Sequence, residues 1–423
     1  MTNNPGPLTN GSKAVIIGGG PGGSACAVAL LHMAKQSGLD IQVTIYEGKV
    51  FADKSHYNQC VGVVSPPITS ILEDQLRIPF PYHLTQRRIN GYVLHGRRRS
   101  LTLDGPEDKA SYALRRIEFD HYMLEQARLA GAEVMQCRVT DLEFHHDEVH
   151  IYSESDCRQA DVVVGAFGLD DGTAAVFKRT VDYVQPRFLT TIVTKVHPPP
   201  ETLGPDASRI HAFLPKASQI EFGAITPKTN HLTINTAGDS LDTHWMELFL
   251  SSPGVKQILS LEAGHESLDA LHLPYFKGRF PISVARRYFG DRYVIVGDAA
   301  GLVRAFKGKG INSACLGGLW AARCIMRAGI SHAAFADDYV NSCHEILRDI
   351  PYGKAVRQLV ILGSRLDLVD RALAVAEQEP TLRQALFDAV SGDRNYRDIV
   401  QSLLHVNLLL RMGHAFVLSP QSA

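Results

Sequence analysis

The sequence predicts an α/β fold: an interrupted Rossmann-type domain with an inserted antiparallel β-rich substrate domain and a helical C-terminal region. Three observations predict it. Ala14-Val-Ile-Ile17 is a short apolar run that ends in Gly18-Gly19-Gly20-Pro21-Gly22-Gly23, the pattern of a strand entering a tight turn before a helix. Pro186 to Ala237 holds repeated β-rich runs broken by Pro198-Pro199-Pro200 and Pro215, as in an antiparallel sheet. Tyr293-Val-Ile-Val296 then resumes the first pattern, and from Ile311 onward nearly everything carries helical periodicity.

Taken in order, Met1 to Ser12 is polar and reads as a disordered lead without the basic-then-apolar arrangement of a signal peptide. Ser24 to Lys35 carries Ala and Leu at helical spacing, and Ile41 to Tyr46 alternates as a second strand that closes on Glu47. Residues 49 to 81 lack a sustained period and read as a long loop with one short helix, a kind of segment that tends to be functional. Gly91 to Leu103 alternates like a hairpin with Arg97-Arg98-Arg99 at a solvated turn, and Phe119 to Ala130 is a helix with acid near its start. Glu148 to Ser153 and Asp161 to Val164 read as strands returning to the first sheet. Leu359 to Glu377 and Ile399 to Leu410 read as helices. The expected domains are a lead over 1–12, a nucleotide-binding domain over 13–180 and 286–332, a β-rich domain over 181–285 and a helical region over 333–423.

The chain of 423 residues has room for two or three domains and a large cofactor. Its 43 basic and 44 acidic side chains nearly cancel, so no global field draws it to nucleic acid or anionic lipid. Seven scattered cysteines, Cys26, Cys60, Cys137, Cys157, Cys315, Cys324 and Cys343, show no zinc or thiol redox spacing. Most are expected to be reduced, in a cytoplasmic setting. No apolar run reaches the roughly 18 residues of a membrane-spanning helix. The Val406 to Met412 segment admits both membrane-surface docking and a buried helix closing a cavity. The 18 histidines show no metal-ligand spacing.

Gly18, Gly20 and Gly23 form a GxGxxG pattern in which each glycine has its own task. Gly18 permits the turn off the strand, Gly20 lets a pyrophosphate approach the backbone, and Gly23 lets helix and strand pack closely; Pro21 and Gly22 count with them as cofactor-binding residues. The helix N-terminus offers unpaired N–H groups to phosphate, and Glu47 lies near the spacing of about 20 residues expected of an acid that bonds a ribose hydroxyl. NAD satisfies this motif as well as FAD does. A second cradle distinguishes them: Gly297-Asp298-Ala-Ala-Gly301, followed by Phe306-Lys-Gly308-Lys-Gly310-Ile311-Asn312 and a long helix. Asp298 is placed to fix a ribityl hydroxyl or to act through water on the pyrophosphate. The N–H groups from Gly310 to Asn312 open a helix suited to stabilising an anionic reduced flavin, and Lys307 and Lys309 flank the cradle. The constellation predicts FAD.

These segments, with Arg116-Ile-Glu-Phe-Asp120 and Gly165-Ala-Phe-Gly168, resemble in order and spacing the FAD motifs of the p-hydroxybenzoate hydroxylase-type flavoproteins. Within that superfamily the chain is similar to the geranylgeranyl reductase branch. Cys60-Val-Gly62 follows the second strand, Phe306 to Asn312 follows the aspartate motif, and the tail holds Phe387-Asp-Ala-Val-Ser-Gly-Asp-Arg-Asn-Tyr396. The resemblance implies hydride transfer from reduced flavin N5 to a hydrophobic, isoprenoid-like alkene. Cys60 would deliver a proton or position the double bond, Arg116, pointing inward from a strand, would pair with a flavin phosphate or ribityl oxygen, and the electrons would come from NAD(P)H or a reduced carrier protein, since no second GxGxxG unit holds a nicotinamide cofactor. Two departures stand out. Val61 replaces the first of two glycines after the cysteine, and Ile220 to Pro227 lacks the tryptophan of the branch's aromatic stretch. The same fold implies, as alternatives, a monooxygenase or halogenase that acts through a flavin hydroperoxide, or a non-catalytic flavin-bearing lipid carrier. Against halogenation, no Trp-x-Trp-x-Ile-Pro stretch is present, the tryptophans being Trp245 and Trp320.

Overall fold

The computed structural model describes residues 5–51, 60–198, 207–215, 219–263, 273–304, 310–392 and 394–404. Gly308, Lys307, Lys309 and the Val406 to Met412 segment lie outside them.

Strand β1 (Lys13–Ile17) leads into helix α1 (Pro21–Gln36) and strand β2 (Gln42–Tyr46). The strands of β1 and β2 are buried after their first residue, as expected of a parallel sheet covered on both faces. Next come the two-residue β3 (Val63–Val64), a helical stretch over 68–76, β4 (Thr85–Ile89), the hairpin β5 (Gly91–His95) and β6 (Ser100–Asp104), and β7 (Ser111–Leu114). Helix α2 (Arg116–Ala130) precedes β8 (Glu133–Met135), β9 (Val139–Phe144), β10 (Val149–Ser153), β11 (Cys157–Ala160), β12 (Val162–Gly165) and α3 (Asp171–Val181). The middle of the chain supplies β13 (Phe188–Val196), β14 (Arg209–Phe213), β15 (Ile220–Pro227), β16 (Leu232–Gly238), α4 (Thr243–Ser251), α5 (Pro253–Ala263) and β17 (Phe276–Pro281). After β18 (Phe289–Gly290) and β19 (Tyr293–Ile295) come the one-turn α6 (Gly297–Ala300), α7 (Gly310–Arg327), α8 (His344–Arg365), α9 (Val369–Gln378), α10 (Pro380–Ser391) and α11 (Tyr396–Leu403).

The first sheet has the order β18-β19-β12-β1-β2-β8 and is parallel except for the β18–β19 edge. A strand from the far end of the sequence, β19, thus lies one strand away from β1, which brings the second glycine cradle beside the first. A seven-stranded sheet, β17-β13-β16-β15-β14-β5-β6, is antiparallel except where β14 runs parallel to β5. A small antiparallel sheet, β3-β7-β4, lies between Cys60 and Arg116 in sequence. Helix α1 is buried against α7, and a Cβ on Gly318 would fall 2.1 Å from the Gly22 carbonyl oxygen, so this helix pair depends on bare backbone.

Three expectations are corrected, while the expected 91–104 hairpin is present and joins the large sheet through β14, a long-range pairing that no local alternation records. Val149–Ser153 does not return to the first sheet; it sits between β9 and β11 in a separate three-stranded sheet, while Val162–Gly165 does return. The continuous helix expected over 359–377 is broken after Arg365, where Asp367 takes a φ of +60°. Arg116 lies on no strand: it opens α2, with Arg115 in extended backbone before it.

Candidate active site

The floor of the site is the β1–α1 turn. Gly18 has a φ of +108°, and an added Cβ would lie 2.4 Å from the Ala166 carbonyl oxygen, so the turn closes tightly on the Gly165-Ala-Phe-Gly168 segment. A Cβ on Gly23 would lie 2.0 Å from the Gly18 carbonyl oxygen, which confirms the close helix–strand packing expected there. Gly20 differs: nothing lies within 4 Å of its missing Cβ, and its backbone is extended. The space left by that side chain opens into a cleft that Gly20 lines together with Gly18, Pro21 and Gly22.

Around this floor the cleft gathers Glu47, Lys49, Arg116, Asp120, Arg138, Gly297, Asp298, Gly310 and Ile311 along with Gly18, Gly20, Pro21 and Gly22. The two glycine cradles therefore meet in one cavity. Glu47 is buried, and its Oε2 accepts from the Gly19 N–H at 2.8 Å while Oε1 accepts from the Lys49 N–H at 2.8 Å. Burial raises its pKa and these two donors oppose the rise. The acid thus holds the first cradle in shape, and with two lone pairs on each oxygen it retains acceptor capacity.

Arg116 Nε donates to Asp120 Oδ1 at 2.5 Å across one helical turn. Burial works against its charge, but the Asp120 carboxylate, with Asp298 further off, holds the guanidinium pKa above its ordinary value. Asp120 and Asp298 are themselves pushed up by burial, with Arg116 pulling both back. Asp298 stands in α6, the single turn that follows Gly297 at φ +64°, and a Cβ on Gly310 would come within 2.6 Å of its Oδ1. Of the predicted residues within the described structure, Gly23, Cys60 and Asn312 do not line the cleft. The Asn312 Nδ2 donates to the Ser65 and Pro66 carbonyls at 3.0 and 3.4 Å, tying α7 to the segment after β3.

Cys60 is exposed, and its Sγ accepts from the Gly62 N–H at 3.4 Å. Gly62, at φ +73°, lies against Leu114, where a Cβ would come within 2.2 Å of the carbonyl oxygen. Among the cleft residues, Asp120, quoted only within its motif, and Lys49 and Arg138 had no task read from the sequence. Asp120 had a signal, its spacing of four from Arg116 on a helix. Arg138 had none, since its packing over Gly48 depends on the β2–β8 pairing. Outside the cleft lining, the ligand atoms of Glu143, His145 and His150 lie within 4.8 Å of one another across the β9–β10 hairpin, a grouping that linear spacing had not suggested.

The cleft fits FAD. Its bare position at Gly20 faces the N-terminus of a buried helix, and the second cradle lies across the same cavity. No family model matches the chain, and no curated protein matches it in sequence. The chain shares its fold with solved flavoproteins and flavin-dependent enzymes to which it is 13–17% identical. A geranylgeranyl bacteriochlorophyll reductase-like protein from Thermoplasma acidophilum is 16% identical, with 94% of this chain and 99% of that one covered at a TM-score of 0.66. A flavin-dependent brominase is 15% identical over 92% and 97% of the two chains, TM-score 0.65. A halogenase solved in complex with phloroglucinol and FAD is 14% identical over 93% and 86%, TM-score 0.59. Among the described residues no helix is long and apolar enough to cross a membrane.

Proposed function

We propose that the chain is an FAD-dependent oxidoreductase that reduces a carbon–carbon double bond in a hydrophobic, isoprenoid-like substrate. The observation that supports it most is the meeting of the two glycine cradles, with the unfilled Cβ position of Gly20 facing the cavity they share. FAD, when bound, supplies the capacity to accept and donate hydride. The chain's own residues do the rest. The N-terminus of α1 holds the pyrophosphate, Glu47 bonds the adenosine ribose, and Arg116, kept charged by Asp120, faces the anionic middle of the cofactor beside Asp298. Gly310 and Ile311 line the far side. Cys60 donates a proton from Sγ to the substrate carbon. The reducing equivalents come from NAD(P)H or a reduced carrier protein.

A second reading, oxygen-dependent hydroxylation or halogenation, is favoured by one observation: the fold matches a flavin-dependent brominase as well as it matches the reductase-like protein. Turnover of prenyl lipids under anaerobic conditions, with NADPH, NADH or dithionite as reductant, separates the two. Saturated product formed without oxygen is the expected result. A strict oxygen requirement with hydroxylated or halogenated product refutes the reductase.

A further inference from the structure

Two histidines and a glutamate share one face at the tip of the β9–β10 hairpin. Side chains alternate across a strand, so Glu143 and His145 project to the same side, and the register sets His150 of β10 directly opposite Glu143. The other side of the hairpin carries Leu142, Val149 and Ile151, all buried. The ladder runs on past the end of β9, where the His145 N–H donates to the Glu148 carbonyl at 2.9 Å, so His145 keeps the alternation. The tip is fastened to the start of β19: Arg292 Nε donates to the His146 carbonyl at 2.9 Å, and the rings of Phe144 and Tyr293 meet edge-on with centroids 5.4 Å apart.

The three side chains surround a gap. His145 Nε2 stands 3.6 Å and His150 Nδ1 4.0 Å from Glu143 Oε2, both beyond hydrogen-bond reach. Outer partners hold two of the three in place. Glu148 Oε1 accepts from His150 Nε2 at 2.8 Å, which puts the ring proton there and leaves Nδ1, on the side of Glu143, with its lone pair. The Gln159 amide donates to the same Glu148 oxygen at 3.0 Å, while its approach to His150 Nε2, at 3.2 Å, is the longer and weaker contact. The Tyr152 hydroxyl donates to Glu143 Oε2 at 2.9 Å. A carboxylate behind an imidazole, fixing the tautomer of a ring whose other nitrogen binds the ion, is the support that metal-ligating histidines receive. From this geometry we propose that Glu143, His145 and His150 bind a divalent transition metal ion, Zn²⁺, which joins the two strands of the hairpin outside the flavin cleft. Two imidazoles and a carboxylate suit zinc, with a fourth position open to water. Around a tetrahedral ion with bonds of about 2.0–2.1 Å, neighbouring ligand atoms stand about 3.3 Å apart, so the two gaps close by only about 0.3 and 0.7 Å. The Glu143 and His145 side chains, each half exposed, are free enough to make that move.

The test titrates zinc chloride into the full chain, first freed of metal by a chelator, and reads binding by calorimetry and by thermal unfolding. The same titration is made with His145→Ala, His150→Ala and Glu148→Ala. The wild type should take up one Zn²⁺ at this site and melt at a higher temperature with zinc than without, because an ion that binds only the folded hairpin stabilises it. His145→Ala and His150→Ala should each lose that binding event. Glu148→Ala, which removes only the partner behind the ring, should weaken it about 10–100-fold. A wild type that takes up no zinc at millimolar concentration overturns the proposal, and so does uptake that is the same in the wild type and in both histidine variants. Circular dichroism checks that the variants fold. Should His150→Ala fail to do so, His145→Ala decides, its side chain being half exposed and outside the buried face of the hairpin.

Discussion

Gly20 and Gly18 are glycines for opposite reasons. A side chain at Gly20 meets nothing in the protein and adopts ordinary extended backbone, so the position is bare for whatever enters the cleft. A side chain at Gly18 meets the Ala166 carbonyl and must take a left-handed φ. Gly20→Val should therefore leave the stability of the FAD-free chain within about 0.5 kcal/mol of wild type while weakening FAD binding about tenfold or more, ~1.4 kcal/mol. Gly18→Val should cost about 1–3 kcal/mol from backbone strain alone. Denaturant unfolding and flavin fluorescence titration read the two effects separately. If both variants unfold alike, or if Gly20→Val binds FAD normally, the assignment of tasks is wrong. At this scale part was legible: Gly18 and Gly23 stand where a side chain would strike backbone, as their spacing predicted, and Gly20 stands bare. Asn312 was not, because a side chain's target across the fold, here the Ser65 carbonyl, leaves no trace in its own neighbourhood.

Elements were legible where their pattern is local. The β1–α1–β2 unit and the closing strand at Tyr293 emerge from apolar runs that end in glycine. The break between α8 and α9 was missed because Leu359, Leu362 and Leu366 continue a helical period while standing exposed; the left-handed residue that ends the helix is an aspartate, where glycine would have announced it. The hairpin turn at Arg97-Arg98-Arg99 also departs from a merely solvated one, since the Arg98 and Arg99 N–H groups donate to the Asp370 carboxylate at the start of α9. A second bond between elements is sharper. Arg357 of α8 makes a bidentate pair with Glu221 of β15, with side chains only 17% and 12% exposed. Arg357→Met strands a nearly buried carboxylate and should cost about 3–5 kcal/mol, whereas the double variant Arg357→Met with Glu221→Gln should recover much of that loss. Equal losses in single and double variants, read by denaturant unfolding, would show that the pair is merely packing.

The whole molecule is built so that distant segments of sequence become neighbours. One core lies around the parallel sheet, with α1 and α7 packed through Gly22 and Gly318. Another joins β5 and β6 to α9 and α10 through Tyr92, Leu94, Leu373 and Phe387. Arg304, at the near edge of the second cradle, donates to the Arg394 carbonyl at 3.1 Å and to Asn395 Oδ1 at 3.1 Å, tying the C-terminal helices to the cofactor side. Such long-range partnerships account for what sequence patterns missed, including the separate β9–β11 sheet. They also explain why the site was foreseeable in outline: two helix N-termini preceded by glycine can serve one phosphate-bearing ligand only if the strands before them are near neighbours, and β1 and β19 flank the same strand, β12. Titration of FAD into the flavin-free chain, followed by absorbance and calorimetry, tests that convergence most directly. The account predicts saturation at one FAD per chain with micromolar or tighter affinity and a bound flavin spectrum; a chain that stays colourless and takes up no FAD at millimolar concentration would contradict it.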